Sequence, residues 1–66
     1  MIIILNGKEE EVPKEITLND FLKSKDADFD EIVVELNESV IETENYNKTI
    51  LKENDRLEVL RFVGGG

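Results

Sequence analysis

Ile2-Ile3-Ile4-Leu5-Asn6-Gly7-Lys8-Glu9-Glu10-Glu11-Val12-Pro13 opens on a β-branched run, breaks at Asn-Gly and returns as a polar run that stops at proline. Asn-Gly between strand-like residues is the strongest short-range hairpin signal, because both central turn positions want positive φ. The return strand, Lys8–Val12, is too polar for a sheet interior and is expected at an edge, where its charges discourage further pairing. Pro13 ends it, having no N–H to give to a ladder.

Reading outward from the hairpin, Thr17 sits where a helix N-cap belongs, with Asp20 three residues on as a variant of the capping box. Leu18, Phe21 and Leu22 fall at i, i+3 and i+4, one apolar stripe to lay on a sheet. Lys23 and Lys25 suit the negative end of the helix dipole, so the helix is expected from Leu18 to about Lys25. A polar connection, Ala27–Asp30, follows, with Phe29 turned inward. Glu31–Leu36 then has strand character: Ile32, Val34 and Leu36 face a core, and Val33 lies outward with Glu35. Asn37-Glu38 is a turn before the short apolar pair Val40-Ile41. Glu42–Lys48 is polar with Tyr46 as its one large anchor, and Thr49–Leu51 tucks back towards the core. Lys52–Asp55 is a further turn, in which Asn54 suits the left-handed conformation. The last strand is Arg56–Val63.

Parity along that strand sets Glu58 towards solvent and Leu57 and Val59 towards the core, which leaves Leu60 and Phe62 on the outer face. Two large apolar groups there form either a contact surface or a pair covered by a loop; the sequence leaves both open. The order of elements is hairpin, helix, then strands. It is not the repeating βα of a doubly wound sheet, and it predicts an α+β roll with one helix across a sheet. The expected organisation is one domain, residues 1–63, followed by a flexible glycine tail, residues 64–66.

Composition narrows the chemistry. Sixty-six residues leave no room for a second core, and there is neither Cys nor His. A disulfide is impossible, and zinc, haem and iron–sulfur sites lack their usual ligands. The commonest general base and the thiol nucleophile are both missing, and a chain this short hardly builds a cleft to separate two carboxyl pKa values. No catalytic residue is expected. Sixteen acidic against eight basic residues give a net charge of −8, the wrong sign for a nucleic-acid binder and the right one for steering towards basic partners. Met1–Leu5 is too short for a signal peptide or membrane span, so a soluble, cytoplasmic protein is expected.

Val63 leads directly into Gly64, Gly65 and Gly66. Without Cβ atoms, three such residues reach roughly 10 Å and enter a channel that any side chain would block. A cloning scar is the plain alternative; the absence of a tag or linker serine weighs against it.

With that order and that tail, the chain resembles the ubiquitin-like β-grasp sulfur carriers, and among them the ThiS family of thiazole formation in thiamine biosynthesis. The likeness spans the whole chain. It is carried by Ile3–Gly7, by Thr17-Leu18 with Phe21-Leu22, by Val33–Asn37, and most densely by Leu51–Gly66, LKENDRLEVLRFVGGG. Asn54 stands where family members often have Gly, and Glu42–Lys48 lacks the basic residue expected soon after Ile41. The resemblance implies a mixed sheet of about four to five strands crossed by one main helix. It also implies a carrier, not an enzyme, that binds no cofactor itself. A ThiF-like adenylyltransferase would use MgATP to adenylate the Gly66 carboxylate. A persulfide donor protein would convert the adenylate to a thiocarboxylate, and a ThiG-like thiazole synthase would accept the sulfur. Gly64 and Gly65 would give clearance inside the partner; Leu60 and Phe62, with Ile4 and Val33, would be docking surface. The free protein is expected to be a monomer, with no nucleic-acid or membrane partner. Two relatives in the same superfamily predict other destinations: a molybdopterin-synthase small-subunit-like carrier, or a ubiquitin-like modifier, which would form isopeptide-linked ladders. From another class comes a passive β-grasp interaction domain.

Overall fold

A computed structural model describes residues 1–61 of the chain. Five strands make one mixed sheet: β1 (Ile2–Leu5), β2 (Lys8–Glu11), β3 (Ile32–Leu36), β4 (Ser39–Ile41) and β5 (Arg56–Arg61), in the order β2-β1-β5-β3-β4. One helix, α1 (Leu18–Ser24), crosses one face. This is the β-grasp roll that the element order predicts. Its central pair, β1 with β5, is parallel, and the other neighbours are antiparallel.

The hairpin closes on Leu5 opposite Lys8, with Asn6 at φ 50° and Gly7 at φ 84°. The second hairpin, β3–β4, uses the same device: Leu36 faces Ser39 across Asn37 at φ 51° and Glu38 at φ 73°. Asn tolerates the left-handed region; glutamate does so at a cost of roughly 1–2 kcal/mol, more than the entropy penalty of glycine. Glu38→Gly is therefore expected to stabilise the fold by about 0.5–1 kcal/mol. Urea titration checks it, and an unchanged or lower midpoint would refute the strain.

The Thr17 hydroxyl accepts from the Asp20 N–H at 3.1 Å, as the cap motif requires. Leu18, Phe21 and Leu22 are buried, and the helix ends one residue before Lys25. Together with Ile3, Val12, Val34, Tyr46, Leu51 and Leu57 they form the core. Lys25 does more than sit near a dipole: it makes an ion pair with Glu10 of β2 and lies 5.7 Å from the centre of the Phe21 ring.

Several expectations are refined. Glu31 closes a 3-10 turn, Phe29–Glu31, and does not begin β3. The polar stretch after β4 is itself a 3-10 helix, Thr43–Lys48, that drives Tyr46 into the core, where the Phe29 ring meets it edge-on at 5.1 Å. Leu51 tucks in as expected, whereas Ile50 is half exposed: the Thr17–Ile50 bridge marks an extended segment, in which successive side chains point to opposite sides. β2 stops at Glu11, and β5 is described as far as Arg61.

Candidate functional site

The sheet has two faces, and the register decides what each carries. Leu57 and Val59 of β5 turn towards α1; Arg56, Glu58 and Leu60 turn away. Leu60 is 52% exposed and lies directly opposite Val33 of β3, so the two form one apolar pair on the outer face. Ile4 belongs to the same face one strand away, opposite Arg56 on β5 and Glu9 on β2. Three of the four docking candidates, Leu60, Val33 and Ile4, therefore share a face but not one cluster: Ile4 sits nearer the start of β5, and Val33 and Leu60 nearer its end. Phe62, the fourth, lies outside the described residues, as do Gly64, Gly65 and Gly66.

The face holds more than parity on single strands could show. Glu35 of β3 lies directly opposite Glu58 of β5. Like charges so placed repel, and with Glu9 and Glu11 on β2 they leave Arg56 as the lone basic residue among these described outer-face positions. Val40, 59% exposed and opposite Glu35, extends the apolar surface at the far edge. What the outer face offers is an apolar pair bordered by uncompensated carboxylates, a surface that suits a partner bringing apolar and cationic groups together. The register across β3, β4 and β5 was the missing signal: parity along one strand shows which way each residue faces but not which residue stands opposite it.

On the helix side an open groove of about 340 Å³ lies between the end of α1 and the sheet, floored by Leu5, Phe21, Leu22 and Val59 and flanked by Lys25 and Arg61. Of the carboxylates that line it, Asp28 accepts from the Asp30 N–H at 3.0 Å and Glu31 pairs with Arg61 at 3.3 Å. It contains no nucleophile and base in contact. Among the described residues, no group of three acidic side chains could hold a metal.

Residues 3–66 match the ThiS family. The chain belongs to the ThiS family. It is 36% identical over 63 residues to the sulfur carrier protein ThiS of Bacillus subtilis, spanning 94% of this chain and 96% of that one. It is 33% identical to a thiazole synthase of Magnetococcus marinus over its whole length, which is only 20% of the synthase. Among solved structures, the thiamine biosynthesis protein ThiS of Geobacter metallireducens superposes with a TM-score of 0.86 at 35% identity, covering all of both chains. That superposition and the five-strand sheet agree on the ubiquitin-like β-grasp.

Proposed function

We propose that this ThiS-family chain is the sulfur carrier of thiazole formation, with the Gly66 carboxylate as its working group. The observation that carries the proposal is the family match, which runs from strand β1 through the terminal glycines, where a carrier of this kind holds its cargo. A carboxylate is a poor electrophile. A ThiF-like adenylyltransferase overcomes this with MgATP: a Gly66 oxygen attacks the α-phosphorus, pyrophosphate leaves, and an acyl-adenylate forms. The terminal sulfur of a persulfide donor then attacks the carbonyl and expels AMP. A thiol cleaves the resulting S–S bond, leaving the Gly66 thiocarboxylate. Gly64 and Gly65 let the tail pass through a channel with no side chain to clash. No side chain of the carrier enters the chemistry, which accords with a chain that has no Cys or His.

A ThiG-like thiazole synthase is the sulfur acceptor in this scheme. The thiazole synthases of Magnetococcus marinus and Paramagnetospirillum magneticum each contain a stretch similar to this whole chain, amounting to a fifth of their length. A carrier-like segment and a synthase in one polypeptide support a functional pairing. The work is placed in the cytoplasm, with the carrier a monomer between encounters. No helix of the described residues is long and apolar enough to cross a membrane.

Docking falls to the outer face. Leu60→Ser is expected to weaken binding to the adenylyltransferase about tenfold while changing stability by less than about 0.5 kcal/mol. Calorimetric titration and urea melts separate the two effects; full affinity in the variant would remove Leu60 from the interface. The functional proposal itself is tested by reconstituting thiazole formation with isotopically labelled persulfide. Label should reach the thiazole only when this chain is present, and transfer without the chain would refute its role.

A further inference from the structure

Strand β5 outlasts its parallel partner. β1 pairs with it only at Ile4 and Leu5, opposite Arg56 and Leu57, and then turns away at Asn6-Gly7. The ladder nevertheless continues. After the Ile4 N–H donates to the Asp55 carbonyl at 2.8 Å, the Asn6 N–H donates to the Leu57 carbonyl at 2.9 Å. The Asn6 side chain supplies the next step: its Oδ1 accepts from the Val59 N–H at 2.9 Å, and its Nδ2 donates to the Val59 carbonyl at 3.4 Å. A carboxamide has the donor and acceptor of a peptide group, so Asn6 stands in for a strand residue that β1 does not have. Beyond it, the alternation of the ladder turns the main chain of Arg61 to the same side, where no described residue bonds it.

We propose that Asn6 is a positioning residue for the C-terminal reaction: its side chain holds the β1-side edge of β5 at Val59 while β3 pairs with Leu60 and Arg61 on the other edge, and the two together fix the last described residues before the tail, its root. The proposal rests on the carrier reading for its consequence and on the hydrogen bonds for its cause. A root already ordered in the free carrier spares the partner the cost of ordering it. For one residue's backbone that cost amounts to about a tenfold change in affinity. Such a loss belongs to ground state and transition state alike, so it falls on KM and leaves kcat alone.

The fold supplies its own control. Asn37, in the other hairpin turn at φ 51°, clamps the opposite end of β5: its Oδ1 accepts from the Arg56 N–H at 2.9 Å. Asn6→Gly and Asn37→Gly both keep a backbone that the turn accepts and each remove one clamp from the same strand. With the adenylyltransferase, Asn6→Gly is expected to raise KM about tenfold with kcat within twofold, and Asn37→Gly to leave KM within about twofold. An unchanged KM in Asn6→Gly, or an equal rise in both, would overturn the proposal and reduce Asn6 to a stability residue. Amide exchange and backbone 15N relaxation on the free proteins read the cause separately. The Val59 amide should lose protection, and Leu60 and Arg61 should gain backbone motion, in Asn6→Gly and not in Asn37→Gly; the reverse would refute the clamp. Wild-type carrier that is not adenylated would defeat the carrier reading, while the exchange data would still decide whether Asn6 holds the root.

Discussion

Gly65→Val is expected to reduce adenylation by about a hundredfold or more in kcat/KM while leaving the melting temperature unchanged. The effect is steric. A tail that must thread an active-site channel does so as bare backbone, and a β-branched side chain one residue from the reacting carboxylate adds two methyl groups and restricts its own rotation. Displacing reacting atoms by about 1 Å costs on the order of a hundredfold in rate. Stability should not follow, because the described residues, from Ile3 to Leu57, build the buried core without it. Gly65→Ala should fall between, so the loss grows with side-chain size. Steady-state kinetics with a ThiF-type enzyme, set beside thermal melts, test both halves. Normal adenylation of Gly65→Val would sink the narrow-channel argument.

The second large effect is on the fold. Leu57 has no exposed surface and sits at the middle of the sheet, opposite Leu5 on β1 and Leu36 on β3. Truncating a fully buried leucine to alanine removes its burial and leaves a cavity, together costing about 2–5 kcal/mol. At roughly 0.05–0.15 kcal/mol per residue, a domain of this length holds only about 3–10 kcal/mol in total. Leu57→Ala is therefore expected to lower the urea midpoint by about 2 M or more, or to prevent folding. A cost below about 1 kcal/mol would mean that the β1–β5–β3 core is not packed as described.

Much of this architecture was legible because its signals are local. Asn6-Gly7 announced the first hairpin, Thr17 with the stripe Leu18, Phe21 and Leu22 announced the helix, and alternation sorted Val34 from Val33 and Leu57 from Leu60. What stayed hidden depends on pairings distant in sequence. The parallel contact of β1 with β5 joins residues about fifty positions apart, and no periodicity within either strand encodes it. The Glu35–Glu58 opposition follows from the antiparallel register of β3 on β5, which no pattern within either strand encodes. The 3-10 helix Thr43–Lys48 has a single apolar anchor, Tyr46, and one anchor makes no stripe. Asn6 and Asn37 were legible as turn residues, but their second task, bonding β5 through side chains, appears only once β5 lies beside them. The candidate site divides the same way. The chemical group at Gly66 and the outward facing of Leu60 come from sequence; the apolar pair with Val33 and the acidic border come from the assembled sheet.

In the proposed scheme sulfur travels on the C-terminal carboxylate. This is tested most directly by intact mass spectrometry of the protein after incubation with MgATP, a ThiF-type adenylyltransferase, a persulfide donor and a thiol. The expected product is heavier by the exchange of one oxygen for one sulfur, confined to the C-terminal peptide and lost when Gly66 is removed. An unchanged mass, with the same enzyme and donor converting the Bacillus subtilis carrier in parallel, would contradict it.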